Sequence, residues 1–219
     1  MQPKLRASYT LLDMWAKGDW QGAINYYFKI KAFVTPAMVD GRNWHTKWEH
    51  EVEHTKALPA IFTPKKTFNN PLTEVKIEVD LAPWLQVVGK LDVLDAPTVV
   101  EFKTGKQDSE HYTSTYQLPF YAMICAYKGV YVDRGEIYHY DQYTKKVDMS
   151  IVWITDEQLA NVKNWLETLG SEIHNYFVTN KLYERYGTYV REKDGVVRLQ
   201  KVAGLDVNTE GAAIIGGVA

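Results

Sequence analysis

The sequence predicts one α/β domain built on a mixed β-sheet with helices on both faces. Three observations predict it. Helical patterning fills the first third of the chain. From Thr73 the period changes to the alternation of strands. Helices and strands then interleave to about residue 200, which fits one layered domain better than separate units. A chain of 219 residues, 46% hydrophobic, can bury a core of that size without cross-links.

Each element has its own signal. "YTLLDMWAKG" ends on a glycine stop, and "DWQGAINYYFKIKAF" follows with Asp19 as its cap. "TPAMVDGRNWHTKWEHEVEHTKAL" starts with Thr35 as cap and Pro36 in the first turn, and its length predicts five or six turns. A three-strand meander is expected over residues 73–80, 85–94 and 98–103, with "DAP" as turn chemistry between the last two. "SEHYTSTYQLPFYAMICAYKG" reads helical, with Pro119 demanding a kink or a late start. "GEIYHYDQ" and "KVDMSIVWI" form a hairpin through "YTKK". A long amphipathic helix follows, capped by Thr155 with Glu157 close behind. "LYERYGTYVREKDGVVRLQKV" reads as a short hairpin through "KDG". The domain spans residues 1–205, and the small-residue tail 206–219 is expected to be loose.

Composition excludes several classes. Cys125 is the one cysteine, so neither an internal disulfide nor a four-cysteine zinc or iron–sulfur site can form. No apolar run reaches a membrane-spanning length and no signal peptide is visible, so no membrane partner is expected and an intracellular location fits. A net charge of -2 argues against coating nucleic acid by bulk charge, although a local basic groove and a bound metal can still attract it.

The chemistry-bearing stretch is "VVGKLDVLDAPTVVEFKTGK". Glu101 and Lys103 are two apart, so they project from one face of their strand, while Phe102 points into the other. Asp92 needs only the right register to sit across from Glu101. Two carboxylates and an ammonium on an apolar sheet are costly unless they pair or hold a metal. Hard oxygen ligands suit Mg²⁺ or Mn²⁺.

Asp92, an eight-residue gap and then Glu101-Phe102-Lys103 resembles the D…(D/E)xK signature of the PD-(D/E)xK nuclease superfamily. Gly89, Asp92, Asp95, Glu101, Lys103, Thr104 and Gly105 fit the wider pattern of its RecB-like branch. Leu91 stands where the superfamily name has proline. Upstream, Gly41 and His45 resemble the branch's Gly-x-x-x-His motif; downstream, Gln117 and Tyr121 resemble its Gln-x-x-x-Tyr motif. The resemblance covers about residues 41–128. It implies a restriction-endonuclease-like core and a metal-dependent deoxyribonuclease. One or two Mg²⁺ or Mn²⁺ ions would be held by His45, Asp92, Glu101 and the Phe102 carbonyl. Lys103 would contact the attacking water or the phosphate, Gln117 would position it, and Tyr121 would meet a phosphate or a nucleotide. The expected setting is phage or bacterial DNA processing, in the cytoplasm, by a stand-alone exonuclease without an iron–sulfur cluster. DNA is the implied partner, single- or double-stranded, and a protein partner or homo-oligomer stays open.

Spacing alone leaves rivals. Asp92 could be a solvated residue near a turn, and Glu101 with Lys103 a surface pair. His45 competes with His50 and His54, and Glu49, one turn after His45, could support the site or face solvent. Gln117 and Tyr121 could be ordinary helix-face residues. Asp95 suits turn shaping better than metal binding, Trp44 and Trp48 suit the core, and the basic runs at 64–66 and 144–146 suit solvated faces. No spacing points to His111 or His139. Two other functions remain: a catalytically silent nuclease-fold module that binds nucleic acid or a protein, and an unrelated metal hydrolase with a closed small-substrate pocket.

Overall fold

Capping residues open the helices where the sequence places them. In the computed structural model, which describes residues 3–30, 35–192 and 195–201, the order is β1 (Leu5–Ser8), α1 (Tyr9–Ala16), α2 (Trp20–Tyr27) and α3 (Pro36–Thr55). Then come β2 (Leu72–Ala82), β3 (Leu85–Asp95), β4 (Thr98–Thr104), α4 (Ser109–Thr113) and α5 (Gln117–Ala126). The chain continues through β5 (Arg134–Tyr140), β6 (Val147–Trp153), α6 (Asp156–Thr179), α7 (Leu182–Tyr186), β7 (Thr188–Arg191) and β8 (Val197–Gln200). Ser8, Asp19, Thr35 and Thr155 each accept a backbone N–H at the start of their helices. Such a cap contributes about 1 kcal/mol.

Six strands form one mixed sheet in the order β1-β3-β4-β5-β6, with β2 also paired to β3; β7 and β8 form a separate hairpin. Strand alternation divides two apolar layers. Val99 joins a large core with α1, α5 and α6, including Leu11, Leu118, Ile124, Leu166 and Phe177. Val100 and Phe102 join a smaller one under α3, with Trp48, Val52, Phe62 and Tyr138. The mixed sheet therefore carries helices on both faces, as the patterning predicts.

Several local expectations need correction. The helix expected over 109–129 is two helices: Pro119 sits in the first turn of α5, where its missing N–H costs least. The reciprocal partner of Thr155 is Gln158 rather than Glu157, because only the third helical residue reaches back to the cap N–H. Leu182–Tyr186, read as part of a hairpin, forms α7, with Leu182, Tyr183 and Tyr186 buried. The tail 206–219 lies outside the described residues.

Candidate active site and metal centre

A fork in the sheet creates the site. β2 runs antiparallel along β3 from Leu85 to Leu94 and fills one of its edges. The other edge is shared. β1 pairs in parallel with residues 85–88, and β4 pairs with Val93, Leu94 and Asp95. Residues 89–92 face the gap between them. The β3–β4 register would next place Asp92 opposite Glu101, but the ladder ends at Val93 and Val100. On its other edge β4 pairs with β5 along its whole length, from Thr98 to Thr104. The Phe102 N–H donates to Asp92 Oδ2 at 2.8 Å, so a carboxylate takes the place of a strand carbonyl.

Both helix layers reach into this opening. On one side α3 brings His45, whose Nδ1 lies 3.4 Å from Asp92 Oδ2. Gly41, one turn earlier, makes that approach possible: a Cβ there would stand 2.8 Å from Thr104 Oγ1 at the end of β4. On the other side α5 lies over β3 at Gly89, where a Cβ would meet Ile124 at 2.3 Å and Tyr121 at 3.3 Å. The two motif glycines thus admit the two helices that carry site residues.

Glu101 is 5% exposed. Its Oε1 accepts from Lys103 Nζ at 2.7 Å and from Gln117 Nε2 at 2.7 Å. Lys103 also donates to Gln117 Oε1 at 2.8 Å, and Gln117 Nε2 donates to the Tyr121 hydroxyl at 3.0 Å. Glu101 Oε2 is buried with no hydrogen-bond partner among the described residues. Burial, with the charge of Asp92, pushes the Glu101 carboxyl up to about 7. Burial opposes the Lys103 charge, but Glu101 outweighs it and raises the ammonium above its ordinary value. At His45 burial is likewise outweighed, by the hydrogen bond and charge of Asp92, and its pKa rises.

Glu49 is the residue that spacing left undecided. It is buried, and one ligand atom each from His45, Glu49 and Asp92 lie within 4.8 Å of one another. Burial, a hydrogen bond with Glu74 and the charge of Asp92 push Glu49 up to about 8. Glu74, paired with Lys90, is lowered despite burial. The i, i+4 spacing of His45 and Glu49 is the signal that could have paired them.

The donor set suits a divalent cation. His45, Glu49 and Asp92 bring ligand atoms together, burial and the charge of Asp92 push the Glu49 and Glu101 carboxyls up, and one buried Glu101 oxygen has no partner among the described residues. A hard cation relieves both problems, and oxygen ligands with one imidazole suit Mg²⁺ or Mn²⁺.

The other candidates fall outside this cluster. His50 and His54 stack on each other at 3.9 Å, and His54 Nδ1 meets the His50 carbonyl. Asp95 accepts from the N–H groups of Asn69 and Asn70, tying down the chain ahead of β2. Lys66 is bound to the buried Glu136, and Trp48 is core. His111 is exposed, whereas His139 is buried and bridges Gly105 and Asp148. His45, Glu49 and Asp92 line a cavity of about 820 Å³ with Arg42, Lys90 and Lys106.

By sequence the chain matches no protein-family model and no curated protein. By structure it is similar to the protein SSO0001, at 14% identity over 77% of each chain, with a TM-score of 0.49. It is also similar to an alkaline exonuclease from Laribacter hongkongensis (9% identity, 82% of this chain and 94% of that one, TM-score 0.49). A phage related exonuclease from Haemophilus somnus 129PT matches at 10% identity, over 81% of this chain and 97% of that one, with a TM-score of 0.43. A likeness of this strength carries no argument about activity. Among the described residues no helix is long and apolar enough to cross a membrane.

Proposed function

We propose that this chain is a divalent-metal-dependent nuclease that hydrolyses phosphodiester bonds of DNA. The single observation that supports it most is the buried Oε2 of Glu101, without a partner among the described residues, on a carboxylate that feels the charge of Asp92 and whose other oxygen holds Lys103. The motif resemblance supports the finer reading, a stand-alone exonuclease of phage or bacterial DNA processing with a RecB-like core.

His45, Asp92, Glu101 and the Phe102 carbonyl would hold the metal, with Glu49 as a further carboxylate within reach. When bound, a divalent ion supplies Lewis acidity and lowers the pKa of a water. The chain's own residues do the rest. Hydrolysis forms one P–O bond to water and breaks one P–O ester bond, so charge gathers on the phosphate oxygens. The Lys103 ammonium is aimed by two acceptors, Glu101 and Gln117, and offsets that charge as a compact cation. Gln117 holds both Lys103 and Glu101. The Tyr121 hydroxyl already accepts from Gln117, which leaves its proton to donate to a phosphate oxygen.

The test is cleavage of linear and circular DNA, single- and double-stranded, with Mg²⁺, Mn²⁺ or EDTA. Metal-dependent cutting that disappears in Lys103→Ala is the expected result. Circles left intact while linear strands shorten would support the exonuclease reading. Cutting undiminished in Lys103→Ala would overturn the site, and DNA retention without cutting on any substrate would favour the silent module.

A further inference from the structure

The metal centre accounts for the floor of the 820 Å³ cavity but not for its rim, where Gln142, Tyr143 and Lys106 stand. Tyr143 is 65% exposed. One exposed tyrosine is ordinary. Three features set this one apart.

Its backbone is locked. The Asp141 carboxylate accepts from the Tyr143 N–H at 2.8 Å, the Thr144 N–H at 3.2 Å and the Thr144 hydroxyl at 2.6 Å. The Lys145 N–H closes the turn on the Asp141 carbonyl at 2.8 Å. A cation also stands at its ring, with Lys106 Nζ 5.5 Å from the Tyr143 centroid. The segment carrying Lys106 is fixed to the strand that leads into this turn, because His139 Nε2 meets the Gly105 carbonyl at 3.0 Å. Finally, further ammonium groups lie over the rings behind it, the buried Tyr140 and the half-buried Trp44. Lys145 lies over Tyr140 at 5.8 Å, Lys47 lies over Trp44 at 4.9 Å, and those two rings are 5.1 Å apart.

An exposed ring with ammonium groups around it matches a polyanionic strand whose bases are free to stack. We propose that Tyr143 stacks on an unpaired base of a nucleic-acid strand while Lys106 contacts its phosphate. They form a nucleotide subsite at the rim of the metal centre. The inference rests on reading the centre as a nucleic-acid site. It sharpens that reading: the strand enters with at least one base unstacked, as in single strands or frayed ends. A closed duplex hides the base faces that Tyr143 would use.

The test is fluorescence anisotropy in EDTA with a short labelled oligothymidylate and the same strand built entirely of abasic residues. Tyr143→Ala, Tyr143→Phe and Lys106→Ala are compared with the wild type. Tyr143→Ala should weaken oligothymidylate binding about tenfold, the size of one base–ring stack. Tyr143→Phe should hold wild-type affinity, and Tyr143→Ala should bind the abasic strand as the wild type does. Lys106→Ala should weaken both strands and flatten the salt dependence. No loss in Tyr143→Ala, or equal loss on both strands, would overturn the subsite. Cleavage by the wild type in Mg²⁺ is read separately. Binding with this pattern but no cutting sinks the nuclease reading alone, and cutting with no effect of Tyr143→Ala on binding sinks the subsite alone.

Discussion

Two glutamates sit on neighbouring strands, one on each face of the sheet, and both are almost wholly buried. Glu136 of β5 pairs with Val100, and Glu101 of β4 pairs with Ile137. Glu136 is closed. Lys66 donates to its Oε2 at 2.6 Å, Tyr138 to the same oxygen at 3.0 Å, and Arg134 pairs with its Oε1 at 2.7 Å. Glu101 has both of its donors on one oxygen and leaves the other bare. The strands, burial and residue type are the same, so the difference lies in bookkeeping of lone pairs. A charge that serves the fold has its acceptors filled. One left half-filled is carried for something outside the chain.

The largest effect that can break this comparison is on metal-dependent cleavage. Glu101→Gln and Asp92→Asn should each lower it by about a thousandfold, in line with losing a central electrostatic element of a site. Glu136→Gln should change it by only a few-fold. Rates measured side by side on one DNA substrate decide it; comparable losses from both glutamates would erase the distinction.

Stability should order them the other way. Glu136→Gln leaves Lys66 and Arg134 without their anion and should cost about 3 kcal/mol in urea unfolding, the low end for a broken buried pair because both cations keep some solvent. Glu101→Gln should cost less metal-free stability than Glu136→Gln at neutral pH, because burial and the charge of Asp92 already oppose ionisation of the wild-type carboxyl. A greater loss in Glu101→Gln would mark it as structural.

The smallest effect concerns pH. Folding raises Glu101 from 4.5 to about 7 and Glu49 from 4.5 to about 8, and it raises His45 above its ordinary 6.5. At these three groups the native state holds more protons than the unfolded one across this range, while His174, lowered by burial, works the other way. Native stability is fullest below 4.5 for the three raised groups and is lost as pH rises through their native values. Without divalent ions the melting temperature should fall between pH 5 and 8 by a few degrees. Mg²⁺ or Mn²⁺ should flatten that slope, because a cation replaces the protons. A slope unchanged by metal would separate the carboxylates from any ion.

Much of this was legible before folding. The strands expected at 73–80, 85–94 and 98–103 appear at Leu72–Ala82, Leu85–Asp95 and Thr98–Thr104. The structure brings Asp92 to His45 and joins Glu101, Lys103, Gln117 and Tyr121, the residues that the motif resemblance singled out. What stayed hidden depended on contacts between elements. β1 is four residues long, too short for alternation to register, and its strand character comes from pairing with β3. Glu49, open between the site and solvent in the sequence, is decided by burial and by Glu74 of β2 beside it. His139 has no sequence neighbour of its chemistry, and its partners lie on the loop after β4 and on β6. The fork itself was invisible, because a register says which residues face each other and not where a ladder stops.

That fork also bears on the order of assembly. The β3–β4 hairpin is closed by three residue pairs, so Asp92 and Glu101 follow directly on its last pair, across the shortest loop in the site. Short loops close with the least entropy, and local contacts form early. A hairpin that closes first brings the like charges near each other, with Lys103 beside Glu101, before the distant His45 and Gln117 arrive to temper them. On this view the young hairpin is an electrostatically frustrated nucleus, and divalent ions already in the solution would ease its closure and quicken folding, well before the finished protein meets a substrate.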